Sequence, residues 1–189
     1  MNDRDASDTL ADYRRQIAAL REKIRQVQQT IEPEPVRNYE FASATGPVRI
    51  ADLFGDKSDL IVIHNMGAGC RYCTLWADGY NGVLPHLENR AAFVVCSPDD
   101  PETQQKFKAA RGWNLRMVSH RGTTFAADMG YQGETGWLPG ISVFGKRGND
   151  VVRVAHTDCG PGDDFCSLWH FFDLLPGGAG DWEPRFSYR

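Results

Sequence analysis

Residues 60–73 read Leu60-Ile-Val-Ile-His-Asn-Met-Gly-Ala-Gly-Cys-Arg-Tyr-Cys73, and this stretch decides the fold. The apolar run Leu60–Ile63 is typical of a buried strand, and from Cys70 to Leu87 the apolar residues recur at helical spacing. The two cysteines therefore lie where a strand gives way to a helix. A helix start presents unpaired backbone N–H groups and the positive end of the helix dipole, and both stabilise a thiolate.

The positions of Cys70 and Cys73 predict different chemical roles for the two thiols. Cys70 is expected at the solvent-facing helix start, where the pKa of a cysteine can fall to about 3.5–7.5. Cys73 falls on the same face one turn later, where it can attack a mixed disulfide formed by Cys70. We therefore predict Cys70 as the catalytic nucleophile and Cys73 as the resolving thiol. Arg71 adds positive charge, which is expected to stabilise the thiolate and make the disulfide more oxidising.

Two other interpretations of this cysteine pair are open. The pair would be half of a zinc site if Cys159, Cys166 or a histidine supplied the other ligands, although the sequence has no second CxxC motif. Alternatively, both cysteines are incidental buried residues. A CxxC motif between a strand and a helix favours redox chemistry over both. We predict neither a metal site nor a cofactor.

The remaining cysteines have no single interpretation. Cys96 ends an apolar run and is interpreted as a small buried hydrophobe. Cys159 and Cys166 are either a second redox pair, which accepts the disulfide from the first, or unpaired thiols. Three other residues near the pair could transfer protons, although a structural role is favoured for each: His64, Asp78 and His86.

The composition limits the class of protein. The chain has 189 residues, five cysteines and a formal net charge of −4. The mild acidity argues against a nucleic-acid or anionic-membrane surface, which would need a basic face. An odd number of cysteines, with no signal-peptide pattern and no apolar run near the roughly 20 residues of a membrane span, predicts a protein of the reducing cytoplasm.

The chain beyond the cysteine pair alternates strand and helix patterns. The predicted elements are an extended stretch at 39–50, a strand at 92–96, a helix at Pro101–Arg111, a short strand at 117–119, strands at 141–144 and 151–155 joined by a turn at 145–150, and a last helix at 163–175. This order predicts a mixed α/β fold, in which the strands at 60–63 and 92–96 run parallel and the last two strands are antiparallel.

The first thirty residues differ from the rest because they carry a heptad pattern. Apolar residues recur at spacings of three and four, at Leu10, Tyr13, Ile17, Leu20, Ile24, Val27 and Ile31. Pro33 and Pro35 end this helix. We therefore predict two parts, an N-terminal heptad helix at 1–35 and a domain at 36–189. The stripe from Leu10 to Ile31 is expected to pack on its own domain, form a homodimer seam, or bind a partner as an exposed helix.

A second motif, Leu138-Pro-Gly-Ile-Ser-Val-Phe144, leads into the first of the last two strands. Together with the earlier strand, the Cys70–Cys73 pair and its helix, it resembles the thioredoxin fold. The resemblance implies a three-layer α/β sandwich with a mixed central sheet, here with an added N-terminal amphipathic helix. It also implies a cis-proline at Pro139, which would place the Leu138 backbone beside the disulfide to pair with a substrate strand.

More narrowly, the chain is similar to a bacterial thioredoxin-like family, domain of unknown function family 899. The matching stretches are residues 39–41, 51–54, 73–78, 81–86, 107–113, 142–144, 155–157 and 173–176. The Cys-Arg-Tyr-Cys sequence departs from that of thioredoxin itself, and its tyrosine resembles the Pro-Tyr of glutaredoxins. The predicted substrate-binding residues are Leu138, Pro139, Arg71 and Tyr72.

These observations predict a thiol–disulfide oxidoreductase that acts on protein or small thiol and disulfide substrates. One alternative is a non-enzymatic interaction module, in which the cysteines are vestigial. Another is a peroxiredoxin-like peroxidase, although Gly67-Ala-Gly69 stands where such enzymes have a threonine before the nucleophile. Neither a nucleic acid nor a membrane is an expected partner.

Overall fold

The computed structural model of the protein describes residues 3–148 and 150–188. The strands are β1 Glu34–Val36, β2 Glu40–Ser43, β3 Gly46–Arg49, β4 Asp59–His64, β5 Ala92–Ser97, β6 Met117–Ser119, β7 Gly140–Arg147 and β8 Asp150–Asp158. The helices are α1 Asp3–Thr30, α2 Ile50–Leu53, α3 Arg71–Arg90, α4 Pro101–Arg111, α5 Phe125–Asp128 and α6 Ser167–Phe172. None of the helices in these ranges combines the length and the apolarity of a membrane-spanning segment.

All eight strands form one sheet in the order β1-β8-β7-β4-β5-β6-β2-β3. The central strands β4, β5 and β6 are parallel, and β4 pairs with β5 from Leu60 opposite Ala92 to His64 opposite Cys96. Every other pairing is antiparallel. The predicted parallel crossover and the predicted C-terminal hairpin are therefore both present.

Apolar side chains alternate between the two faces of the sheet and build two cores. On β4, Leu60 and Val62 pack into one core, while Ile63 packs into the other. The first core is covered by α2 and α5 through Ile50, Leu53 and Phe125; the second is covered by α3, α4 and α6 through Trp76, Tyr80, Leu84, Phe107 and Trp169. Helices on both faces of a mixed sheet give the predicted three-layer α/β sandwich.

Local signals place α4 accurately, at Pro101–Arg111 as predicted. The Asp100 side chain accepts a hydrogen bond from the Thr103 N–H at 2.9 Å and caps the helix start. Gly112 ends the helix in the left-handed conformation, with φ of 65°. Capping residues at both ends therefore define this element.

The last helix is shorter than predicted. It was expected from Asp163 to Leu175, but α6 covers only Ser167–Phe172. The Asp163 carboxylate accepts hydrogen bonds from the N–H groups of Phe165 and Cys166, at 2.9 and 3.1 Å, and holds the preceding segment in a turn. The apolar spacing continues through this turn, which explains the error.

The chain divides into two compact units, one up to Pro33 and one from Glu34 onward. The second unit begins at Glu34 because Glu34–Val36 is strand β1, which pairs with β8. The first unit contains α1, and the predicted N-terminal helix is confirmed. Taken by itself, α1 leaves its apolar stripe about half exposed. The stability of a helix in water depends mainly on the packing of its apolar face. Packing of this stripe in a homodimer seam, through Leu10 to Ile31, stays a prediction.

Tyr131 fixes the start of β7 against β4 and β8. Its hydroxyl lies 3.0 Å from the carbonyl oxygens of Ile141 and Thr157 and shares its one proton between them. Its ring stacks on His64 with a centroid separation of 3.8 Å. A Cβ at Gly140 would lie 2.0 Å from the Tyr131 ring and 2.7 Å from the Thr157 carbonyl oxygen, so only glycine fits at this position.

We predict that Gly140→Ala lowers the free energy of unfolding by about 1–3 kcal/mol, because the methyl group overlaps both the Tyr131 ring and a backbone carbonyl. Gly145→Ala, on the same strand, is the control, since its Cβ would meet only Val154 at an ordinary 3.7 Å. The measurement is urea unfolding followed by tryptophan fluorescence. Equal stability of the two variants would contradict the assigned packing of Tyr131.

Candidate active site

The loop between β4 and α3 is held by side-chain hydrogen bonds to its backbone. Asn65 accepts from the Gly67 N–H, and the Asp99 carboxylate accepts from the Ala68 N–H, each at 2.8 Å. Gly67 has a φ of +101°, and a Cβ there would lie 3.0 Å from the Asp99 carboxylate. The Cys70 N–H donates to the Gly67 carbonyl. These contacts fix the chain direction just before the helix.

Cys70 is the N-cap residue of α3. Its sulfur accepts a hydrogen bond from the Cys73 N–H at 3.0 Å, so the thiol takes the place of the usual capping oxygen. The Cys70 side chain is half-buried. A hydrogen bond from the Cys73 thiol, together with the N–H groups of Tyr72 and Cys73, lowers the pKa of Cys70 to about 7.

Cys73 is buried one turn into α3, with 3% of its surface exposed. Its sulfur accepts from the Met66 N–H at 3.4 Å. The hydrogen bond to Cys70 and, after it, burial raise the pKa of Cys73. The pair therefore consists of one accessible thiol that ionises near neutral pH and one buried thiol that stays protonated.

The partners of Arg71 and Tyr72 are side chains other than the two cysteines. The Arg71 guanidinium pairs with Glu183 at 3.2 Å and is not among the causes that lower the Cys70 pKa. The expectation that Arg71 stabilises the thiolate is therefore not met; hydrogen bonds at the helix start have this effect instead. The Tyr72 ring lies 6.2 Å from that of Trp76 and 6.4 Å from that of Trp169, so it packs on the second core.

Pro139 is brought beside Cys73, and both line one small cavity. The predicted cis bond at Pro139 was wrong, since no described peptide bond is cis. The Leu138 N–H donates to the Tyr131 carbonyl at 2.9 Å, and the Pro139 carbonyl accepts from the Cys159 N–H at 3.1 Å. Backbone hydrogen bonds thus hold the chain on both sides of a trans bond. The Leu138 side chain is exposed, and its role in substrate binding stays a prediction.

The predicted proton-transfer residues have other partners in the structure. Asp78 accepts from Arg111 and from the Trp113 indole N–H at 2.7 Å, which is a structural network. His64 is buried, its Nε2 pairs with the Ser142 hydroxyl at 2.9 Å, and burial lowers its pKa to about 3. His64 is therefore neutral at physiological pH.

Among the remaining predicted residues, His86 is exposed on α3, and Cys96 is fully buried in the first core as expected. Cys159 lines the cavity beside Cys73, whereas Cys166 packs in the second core. Within residues 3–148 and 150–188, no group of three or more histidine, cysteine or acidic side chains is placed to hold a metal ion.

Sequence reasoning missed Asn65, Asp99 and Tyr80. A possible signal for Asp99 is its position two residues after the end of β5, since parallel neighbours end at the same sheet edge. Tyr80 follows Cys73 by two helical turns and was interpreted only as part of the helix pattern. Tyr80 lines the same cavity as Cys73, and its hydroxyl is buried.

A family of bacterial proteins of unknown function, DUF899, matches residues 4–187. The chain belongs to this family. The predicted resemblance is therefore confirmed over nearly the whole length. No curated protein matches the chain.

Peroxiredoxins are among the solved structures that share the fold, and those described below are less than 25% identical to this chain. Peroxidoxin BcpB from Mycobacterium tuberculosis is 23% identical with a TM-score of 0.57, over 67% of this chain and 84% of that one. Reduced Prx3 from Vibrio vulnificus, in complex with hydrogen peroxide, is 16% identical with a TM-score of 0.56, over 71% and 91%. Peroxiredoxin Q from Xanthomonas campestris is 14% identical with a TM-score of 0.55, over 64% and 79%. These similarities confirm a thioredoxin-like fold.

We predict that Cys70 is alkylated by iodoacetamide with a rate that rises with pH around a midpoint near 7. Below the midpoint the rate falls about tenfold per pH unit, because only the thiolate reacts. In Cys73→Ala the midpoint moves upward, since the thiol hydrogen bond that most lowers the Cys70 pKa is removed while the backbone N–H remains. Mass spectrometry of the peptide containing Cys70 measures the rate. An unshifted midpoint near 8.5 would contradict the assignment and favour the non-enzymatic interaction module.

Proposed function

We propose that the protein is a thiol–disulfide oxidoreductase in which Cys70 is the nucleophile and Cys73 is the resolving thiol. The observation that carries this proposal is the asymmetry of the pair. Cys70 is accessible, caps a helix and has a lowered pKa, whereas Cys73 is buried, protonated and in hydrogen-bonding contact with Cys70. Cys70 can therefore attack a substrate, whereas Cys73 stays shielded from solvent until a mixed disulfide forms on Cys70.

The reaction takes place in two exchange steps. The Cys70 thiolate attacks one sulfur of a substrate disulfide, forms a mixed disulfide and releases the other substrate sulfur as a thiolate. Cys73 then gives its proton to water and attacks the Cys70 sulfur, which releases the second substrate thiolate and leaves a Cys70–Cys73 disulfide. The substrate gains two electrons and the protein loses two; the reverse sequence oxidises a dithiol.

Substrates in this proposal are proteins or small molecules that carry a thiol or disulfide. The exposed Leu138 side chain offers an apolar contact next to Pro139, which lies by Cys73. Arg71, paired with Glu183 on the surface, and the half-buried Tyr72 lie between the two cysteines in the sequence. These four residues are proposed as the substrate-binding surface.

We predict that the wild-type protein accelerates the reduction of insulin by dithiothreitol and that Cys70→Ser abolishes this activity. Cys73→Ser accumulates a mixed disulfide on Cys70, because the resolving step is lost. Cys96→Ala is the matched control, since Cys96 is buried in the first core. The readouts are insulin turbidity and intact-protein mass. Full activity in Cys70→Ser would contradict the proposal.

A peroxidase is the second candidate, and the observation that favours it is the shared fold with peroxiredoxins. In this reaction the Cys70 thiolate attacks a peroxide oxygen, which gives Cys70 sulfenic acid and hydroxide. The Cys73 thiol then displaces water and forms the same disulfide.

We expect the two candidates to differ in the oxidant that the reduced protein consumes. Hydrogen peroxide consumption with dithiothreitol as donor, at a rate that depends on Cys70 and far exceeds that of free cysteine, would favour the peroxidase. Slow peroxide consumption alongside fast insulin reduction would favour the oxidoreductase.

A further inference from the structure

A third cysteine, Cys159, lies beside Cys73. Cys159 directly follows β8, and its N–H donates to the Pro139 carbonyl at 3.1 Å. Cys73 and Cys159 both line a cavity of about 10 Å³, which is room for about one water molecule. A negative charge on Cys159 raises the pKa of Cys73, so Cys159 lies within electrostatic range of Cys73.

Tyr80 also lines this cavity. Its side chain is 8% exposed, and its hydroxyl is a buried polar group without a standard hydrogen-bond partner among the described residues. The Tyr80 hydroxyl is placed to donate to a Cys159 thiolate, and this interaction lowers the pKa of Cys159. Burial has the larger effect and raises that pKa to about 12. The cavity thus provides a donor that a Cys159 thiolate would use.

Cys166 lies near Tyr80, because its negative charge raises the pKa of Tyr80, but it does not line the cavity. It packs with Trp169 in the second core. Its sulfur is therefore a control for Cys159 rather than an alternative partner. The predicted alternatives for Cys159 and Cys166, a second redox pair or unpaired thiols, stay predictions.

We propose that Cys159 is a second resolving thiol, which takes the disulfide from the Cys70–Cys73 pair and holds it as Cys73–Cys159. This inference rests on the proposed function, because the Cys70–Cys73 disulfide is its starting point. Cys159 gives its proton to water, its sulfur attacks the Cys73 sulfur, and the Cys73–Cys70 bond breaks. Cys70 leaves as a thiolate. One disulfide replaces another, so the protein gains and loses no electrons.

The chemistry of the leaving group favours attack on Cys73 rather than on Cys70. Exchange is faster when the departing thiol has the lower pKa, and Cys70 has the lowest pKa of the three cysteines. Attack on Cys73 therefore expels the better leaving group. The exchange restores the nucleophile at the helix start while the protein remains oxidised.

The experiment maps disulfides in the full-length protein over time. Trypsin cuts after Arg71, so Cys70 lies in peptide 58–71 and Cys73 in peptide 72–90, while Cys159 and Cys166 share peptide 154–185. The reduced protein is treated with one equivalent of diamide, quenched with acid at intervals, alkylated, digested and analysed by mass spectrometry. We expect the link between peptides 58–71 and 72–90 to appear first. It then declines as the link between 72–90 and 154–185 rises and alkylated Cys70 returns.

Two variants assign the second link. Cys159→Ala loses the link between peptides 72–90 and 154–185 and accumulates the Cys70–Cys73 disulfide, with loss of Cys70 alkylation. Cys166→Ala removes the other thiol of the same peptide. In this variant the two links appear in the same order as in the wild-type protein. Survival of the second link in Cys159→Ala would overturn the assignment.

The outcomes separate this inference from the proposed function. If the Cys70–Cys73 link forms in the wild-type protein and is not converted to Cys73–Cys159, the assignment of Cys159 as a second resolving thiol is wrong and the oxidoreductase proposal stands. If the Cys70–Cys73 link is absent even in Cys159→Ala, both proposals are overturned. If the second link forms without the first preceding it, Cys73 and Cys159 are oxidised directly and the exchange step is wrong.

Discussion

The parallel pairing of β4 with β5 is the constraint on which the site depends. Two adjacent parallel strands need a crossover, and here the crossover contains α3, which must start near the end of β4. The antiparallel strand β7 begins at that same edge, with Gly140 opposite His64, and β8 ends there, with Asp158 opposite Gly140. The cysteine pair, Pro139 and Cys159 are therefore brought together from distant parts of the sequence by sheet topology.

This edge of the sheet makes two similar thiols chemically different. The Cys70 sulfur accepts hydrogen bonds from backbone N–H groups in the first turn of the helix, and these bonds favour its charged form. At Cys73 the sulfur is one turn deeper, where burial and donation to Cys70 favour its neutral form. The loop contact from Asp99 to the Ala68 N–H fixes the helix start itself. The asymmetry thus comes from position along one helix turn and needs no charged side chain nearby.

Local patterns account for much of what could be predicted from the sequence. The helix α4 has its N-cap at Asp100 and its C-cap at Gly112, and both signals directly flank the element in the sequence. The strand-to-helix position of Cys70 and Cys73 was also evident, because a buried strand and helical spacing adjoin the motif. The predicted start of the last helix was wrong because a local signal conflicted with the apolar spacing. Asp163 holds a turn at the position where the helix was expected to begin. The first strand, β1, was missed because Glu34–Val36 is short, follows Pro33 and contains Pro35.

The cavity beside Cys73 could not be predicted from periodicity, and the reason is a bulge in β8. Val151 and Cys159 are an even number of positions apart, so strict alternation places both on the same face of the sheet. In the structure Val151 packs in the first core and Cys159 against the second. The register with β7 shifts between Val143 and Phe144, where β8 carries an extra residue. That extra residue changes the face that the end of β8 presents, and it therefore brings a third thiol to the helix that carries the other two.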